Sequence, residues 1–230
     1  MRAFKGMASI IAMFLAAILP ISTSFLSAKT EYELGSRISQ VSPAEIPLYR
    51  MSPADKARET ILEFSECVVA RSPSSVTKAL ALPATDPAAD KALLNLAMPD
   101  CLRYGELRMQ PSLMRGGLFN ALYRRDFLRI VPPLYGKPID YKADVSDPDS
   151  PKSQSYIALH DFADCVVRAD PGDSRTIVLA SVASADEMAG YSKISPALGS
   201  CVNIGQNIEF SKIVITAILS EAIYRQSSTK

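Results

Sequence analysis

A six-residue motif occurs twice in this chain, about a hundred residues apart. The first copy is Phe-Ser-Glu-Cys-Val-Val at 64–69, and the second is Phe-Ala-Asp-Cys-Val-Val at 162–167. Each copy is followed by a second cysteine and then by a similar tetrapeptide, Ala-Leu-Tyr-Arg at 121–124 or Ala-Ile-Tyr-Arg at 222–225. Self-similarity at a fixed spacing indicates that one structural unit is used twice. We therefore predict a fold made of two units related by internal duplication.

Each unit is predicted to contain four helices. In the first unit, residues 53–127, Ser52 can cap the first helix and Pro53 suits its first position. A short second helix follows, then a third helix that carries the second cysteine near its end, and then a strongly apolar fourth helix. The second unit, residues 153–226, has the same order, and its fourth helix is apolar on nearly every side, which is typical of a helix at the centre of a core. The predicted fold class is all-α, with two tandem four-helix modules.

The first 24 residues have the composition of a secretory signal peptide. Arg2 and Lys5 form a basic start, residues 7–19 are almost entirely apolar, and small residues precede a cleavage site after Ser24. The alternative is an uncleaved anchor, but the apolar run of 13 residues is shorter than the about 20 that a membrane-spanning helix needs. We predict an exported protein, periplasmic or secreted, without a membrane span after cleavage.

The four cysteines are predicted to form one disulfide within each unit. An even number of cysteines in an exported chain favours disulfides over free thiols. Their equivalent places in the two units select the pairs Cys67–Cys101 and Cys165–Cys201 among the three possible connectivities. Each bridge would stabilise the fold by about 3–4 kcal/mol. Because the chain has no Cys-x-x-Cys and only one histidine, a zinc site is not expected, and we predict no metal and no cofactor.

Charge and composition limit the partners of the chain. Removal of the signal peptide leaves 23 basic against 24 acidic residues, so the net charge changes from +1 to −1. A near-neutral chain lacks the basic footprint of proteins that bind nucleic acid or anionic lipid. Two segments outside the units have no helical pattern. Residues 25–52 are predicted to form an extended arm, and residues 128–152, which contain five prolines, a linker.

No catalytic motif is present. His160 is the only histidine, and Asp164, one helical turn later, could orient it as a general base. However, the chain has no Gly-x-Ser-x-Gly motif to supply a nucleophile, and a histidine on a helix surface or against the linker is the simpler interpretation. The acidic pairs Glu63/Glu66 and Asp161/Asp164 are predicted to face solvent rather than a cleft. We predict that the protein is not an enzyme, with a hydrolase site between the two units, using His160 or an acidic pair, as the alternative.

The fourth helix of each unit carries the best candidates for a binding surface. Tyrosine and arginine are favoured at interface hot spots, although an arginine near a helix end and a packed tyrosine also have structural roles. Arg115 and Asn120 are predicted to point away from the apolar stripe. The adjacent Gly116 and Gly117 indicate close approach of another helix, since glycine costs a helix about 1 kcal/mol relative to alanine. The possible interaction surface comprises Arg115, Tyr123, Arg124, Tyr224 and Arg225.

Three features together resemble a group of exported, uncharacterised bacterial proteins: the Phe-x-x-Cys-Val-Val helix ended by a proline, the later cysteine, and Leu-Met-Arg-Gly-Gly-Leu-Phe-Asn-Ala-Leu-Tyr-Arg at 113–124. The resemblance covers about 55–127 and 153–226, and the second copy departs from it with Thr-Ala-Ile at 216–218. It implies export and a repeat fold but no reaction. We therefore expect a non-enzymatic binding or interaction protein of the bacterial envelope, with a protein or other envelope component as its partner.

Overall fold

A computed structural model of the chain describes residues 37–38, 51–102, 107–133, 136–202 and 210–228. The predicted signal peptide and most of the predicted arm lie outside these residues. The described residues all belong to one compact unit.

The described residues form eight α-helices, which confirms the all-α class. The first half contains α1 (Pro53–Arg71), α2 (Pro73–Leu80), α3 (Pro87–Leu94) and α4 (Pro111–Phe127). The second half contains α5 (Pro151–Ala169), α6 (Pro171–Leu179), α7 (Ala185–Cys201) and α8 (Lys212–Ser228). Two 3-10 turns, Pro99–Cys101 and Tyr141–Asp144, lie between helices, and β1 (Arg37–Ile38) pairs antiparallel with β2 (Leu107–Arg108).

The helix starts follow directly from the sequence. Proline is the first residue of α1 to α6, a position where its missing N–H leaves no hydrogen bond unmade and its fixed φ suits the helix. The predicted cap of α1 is confirmed, because the Ser52 hydroxyl accepts a hydrogen bond of 3.1 Å from the backbone N–H of Asp55. Asp86 caps α3 in the same way, through the backbone N–H of Ala88 at 2.7 Å.

The third helix of the first half is shorter than predicted. α3 ends at Leu94, and Cys101 lies in the separate 3-10 turn Pro99–Cys101. Pro99 disfavours a helical conformation at Met98, which is extended here with a ψ of 116°, and offers no N–H to a continuing helix. In the second half the prediction is confirmed, since Cys201 is the last residue of α7.

One disulfide lies in each half, as predicted. Cys67–Cys101 connects α1 to the turn that follows α3, and Cys165–Cys201 connects α5 to the end of α7. The bridges close segments of similar length, with sequence separations of 34 and 36.

Helices α4 and α8 pack against each other at the centre of the fold. Gly116 of α4 lies so close to Ala217 of α8 that a Cβ on Gly116 would be 2.7 Å from the Ala217 Cα. On another side of α4, a Cβ on Gly117 would be 2.5 Å from the Ser65 Oγ of α1. The close helix approach predicted from the two glycines is therefore confirmed. Helix α8 also packs against α5 and α6, which accounts for its apolar surface all round.

Three polar residues that were predicted to face solvent are buried: Arg115, Asn120 and Asp164 are only 6%, 5% and 2% exposed. Each has polar partners that sequence periodicity does not reveal. Asn120 donates to the Ser220 hydroxyl at 3.0 Å, and Asp164 accepts a hydrogen bond from Gln226. Hydrogen bonding of this kind offsets the cost of removing a polar group from water.

Candidate functional site

A buried carboxylate, Glu221 of α8, is the centre of a polar cluster between α4, α5 and α8. Arg115 of α4 donates from Nε to Oε2 at 2.9 Å and from Nη2 to Oε1 at 2.8 Å. From α5, the Tyr156 hydroxyl donates to Oε1 at 2.9 Å, and His160 Nε2 lies 3.2 Å from Oε2. We refer to Glu221, Arg115, Tyr156 and His160 as the Glu221 cluster. It joins three helices from both halves through one carboxylate that is 1% exposed.

The charges of this cluster favour an ionised Glu221. Burial alone would raise the pKa of Glu221, but the charges of Arg115 and His160 and their hydrogen bonds hold that pKa far below its usual range. Burial would lower the pKa of Arg115, whereas the charge of Glu221 and its hydrogen bonds raise it above the ordinary value. Burial, followed by the charge of Glu221, raises the pKa of Tyr156, so its hydroxyl keeps its proton and acts as a donor.

Both ring nitrogens of His160 face acceptors. Nδ1 is 2.8 Å from the backbone carbonyl oxygen of Tyr156, and Nε2 faces the Glu221 carboxylate. The ring therefore lies between a main-chain oxygen and the buried carboxylate.

The structure corrects the predicted partner of His160. Asp164 accepts hydrogen bonds from Arg168 at 2.9 Å and from Gln226, while the carboxylate beside His160 is Glu221, sixty-one residues later. The ring is 7% exposed and therefore does not lie on the helix surface. Its predicted contact with the linker is confirmed, because the ring of Tyr141 lies 5.2 Å away between centroids.

A cavity of about 360 Å³ opens beside the Glu221 cluster. It lies where α2, α4 and α8 meet the 3-10 turn Tyr141–Asp144. Its walls combine apolar side chains with two arginines and one carboxylate, among them Leu80, Phe119, Leu122, Arg115, Arg225 and Asp144. Arg225 donates to Asp144 through Nη1 and, at 3.2 Å, through Nη2. Arg115 thus belongs both to the cluster and to the cavity wall, where its Nη1 also donates to the Leu80 carbonyl oxygen at 3.2 Å.

A second, smaller cavity of about 50 Å³ also lies at the α4–α8 interface. Its wall includes Arg58, Asn120 and Thr216, which in the sequence correspond to Tyr156, Glu221 and Arg115 of the cluster. Arg58 is paired with Glu187, and both side chains are almost completely buried. The matching positions of the two halves therefore carry different polar groups. Of these two places, the Glu221 cluster is the one where an arginine, a carboxylate and a histidine occur together.

The structure does not bring the five predicted interaction residues together on an outer surface. Arg115, Tyr224 and Arg225 line the larger cavity, and Arg124 lines the smaller one. Tyr123 lies in the core with 0% exposure, and Arg175 donates to its hydroxyl at 2.9 Å. The burial of Arg115 and Tyr123 corrects the prediction that they form a surface, because the neighbouring helices cover both. Whether Arg124, Tyr224 and Arg225 contact a partner stays a prediction.

Sequence reasoning missed two residues of the site and undervalued a third. Tyr156 and Asp144 gave no signal, since a tyrosine in a helix and an aspartate in a proline-rich segment are both ordinary. Glu221 did give one: it is an acidic residue in a helix that is otherwise apolar on almost all sides. A charge at such a position predicts a buried partner of opposite sign.

The oxygens of Glu221 are occupied by neighbouring donors. Oε1 accepts from Arg115 and Tyr156, and Oε2 accepts from Arg115 and lies 3.2 Å from His160. A general base needs a free lone pair within reach of the substrate proton, and these contacts hold Glu221 as a buried ion-pair partner. In the described part of the chain, no three His, Cys, Asp or Glu side chains are grouped so as to hold a metal ion.

No α-helix in the described residues has the length and hydropathy to cross a membrane. Comparison of the chain with protein-family models, with curated proteins and with solved structures finds no match. No family is therefore assigned, and the resemblance to exported bacterial proteins stays a prediction.

Proposed function

We propose that the protein is an exported, non-enzymatic binding protein of the bacterial envelope, made of two helical modules that arose by internal duplication. Duplication is supported by matched elements in the two halves. Helices α1 and α5 both have 19 residues, and α4 and α8 both have 17. Each half also has one disulfide at corresponding positions. Disulfides are typical of oxidising compartments, which supports export.

The binding role is carried by one observation. Three of the residues chosen from the sequence as interaction candidates, Arg115, Tyr224 and Arg225, line the same cavity of about 360 Å³. This volume lies within the usual range for small-molecule sites, which combine apolar walls with a few well-placed polar groups. Arg115 and Arg225 are both held by carboxylates, so they are fixed in position before any ligand arrives. Such preorganisation lowers the entropic cost of binding.

Native mass spectrometry of the purified protein tests this proposal. The full chain is produced in a Gram-negative host and purified from the periplasm, and its N-terminus and disulfides are determined. We expect a processed N-terminus, oxidised cysteines and a bound small molecule. Ala143 is exposed at the cavity wall, so Ala143→Trp should block the cavity and remove the bound mass. Ala189→Trp, at an exposed position of α7, is the matched control and should retain it.

Three results would contradict the proposal. Retention of the signal segment with reduced cysteines would contradict export. The binding role of the cavity would be contradicted if Ala143→Trp and Ala189→Trp carried the same bound mass. It would also be contradicted if the protein carried no ligand and bound none from envelope extracts. Hydrolysis of an ester, amide or glycoside that is lost in Ala143→Trp would instead support the alternative, a hydrolase site between the two modules.

A further inference from the structure

We propose that the larger cavity binds a monovalent organic anion, a carboxylate with a short apolar body, with its charged end towards Arg115. This inference rests on the proposed binding function and names the class of ligand. It is carried by three features of the cavity: unused donors on Arg115, an excess of positive over negative side chains in its wall, and apolar side chains next to them.

Arg115 has hydrogen-bonding capacity that the described residues do not use. A guanidinium has five N–H hydrogens. Glu221 accepts the single hydrogen of Nε and one from Nη2, and the Leu80 carbonyl oxygen accepts one from Nη1. One hydrogen on each terminal nitrogen has no acceptor among the described residues. Since Arg115 is 6% exposed and lines the cavity, a ligand acceptor within the cavity is well placed to satisfy them.

The cavity wall carries more positive than negative charge. Of the charged side chains that line it, Arg115 and Arg225 are cationic and Asp144 is anionic. Glu221 pairs with Arg115 and also lies 3.8 Å from Arg225, but it is 1% exposed. The groups that face the cavity therefore have a net positive charge. A monoanion in the cavity would neutralise it, whereas a neutral ligand would not and a cation would be repelled.

The remaining part of the cavity wall favours a ligand with an apolar body. Leu80, Leu122 and the ring of Phe119 lie beside the arginines, and the Arg115 guanidinium is 5.1 Å from the centre of the Phe119 ring. A ligand with an anionic end and a hydrocarbon chain would fit both parts of this wall. An inorganic anion would leave the apolar part in contact with water.

Isothermal titration calorimetry with soluble probes of one chain length tests the inference. The probes are octanoate, octan-1-ol and octylammonium, at concentrations below micelle formation, added to the mature oxidised protein. We expect octanoate to bind about 10- to 100-fold more tightly than octanol, the range that a charge-assisted hydrogen bond provides. Octylammonium should not bind measurably. Ala143→Trp should abolish octanoate binding, and Ala189→Trp should leave it unchanged.

A second variant addresses the charge rather than the space. Arg225→Gln removes one of the two cations of the cavity wall, so octanoate affinity should fall about 10-fold while octanol affinity stays the same. Lys152→Gln, which removes an exposed cation paired with Asp90, should have no effect. Equal binding of octanoate and octanol, or no binding of octanoate, overturns the inference. Binding only to phosphatidylglycerol vesicles overturns it as well, since a lipid surface would then be recognised. In each of these cases, a neutral molecule bound in the cavity would still leave the proposed binding function standing.

Discussion

Gly116 and Ala217 meet where α4 and α8 cross, at positions that correspond to each other in the two halves of the sequence. The absence of a side chain on Gly116 is what allows the two central helices to approach so closely. This contact brings Arg115, one residue before Gly116, within reach of Glu221 on α8. The helix crossing and the buried ion pair are therefore two consequences of the same local sequence.

Gly116→Ala should destabilise the protein by about 1–3 kcal/mol, the usual cost of overpacking. The new Cβ would lie 2.7 Å from the Ala217 Cα, which outweighs the about 1 kcal/mol that alanine contributes to helix propensity. Adding Ala217→Gly in the same chain should recover part of the loss, because it removes the opposing side chain. The measurement is the free energy of unfolding in urea for both single variants and the double variant.

Gly199→Ala is the control for this experiment. Gly199 is also helical, but a Cβ there would meet nothing within 4 Å. The substitution should raise the free energy of unfolding by up to about 1 kcal/mol. A Gly116→Ala variant as stable as Gly199→Ala would contradict the close contact of α4 and α8 at Gly116.

Glu221→Gln should lower the free energy of unfolding by about 3–5 kcal/mol, because it leaves the buried Arg115 without its anion. Glu63→Gln, which changes an exposed glutamate of α1, should stay within about 0.5 kcal/mol of the parent protein. Combining Glu221→Gln with Arg115→Met removes both partners, and the double variant should be more stable than the sum of the single effects predicts. Strict additivity in this double-mutant cycle would show that the two side chains do not interact.

Part of this site could be read from the sequence and part could not. Helix starts, the glycine contact and both disulfides depend on residue types at particular positions, so local rules and the matched cysteines were enough. The burial of Arg115 depends on Glu221, Tyr156 and His160, which lie on two other helices. Periodicity along one helix assigns an arginine to the solvent side, and only the packing of α4, α5 and α8 reverses that assignment.

Acid should weaken the fold partly through Glu221. The folded-state pKa of Glu221 lies far below its ordinary value of 4.5, so its contribution to stability is present above pH 4.5 and is lost as the pH falls further. The free energy of unfolding should therefore decrease between about pH 4.5 and pH 2. Glu221→Gln removes this group, so its stability should depend less steeply on pH in the same interval. If the free energy of unfolding decreased equally with falling pH in the two proteins, an ionised, buried Glu221 would be contradicted.

The disulfides give the last prediction. Replacing Cys67 and Cys101 by alanine should cost about 3–4 kcal/mol, because the bridge restricts the unfolded chain over a separation of 34 residues. The Cys165/Cys201 double variant should lose a similar amount, since its separation is 36 and loop-closure entropy grows slowly with length. Urea denaturation of both double variants gives these values. Because α4 and α8 pack against each other, unfolding should remain one cooperative transition in each variant. Independent melting of one half, with the other half still folded, would contradict the shared core.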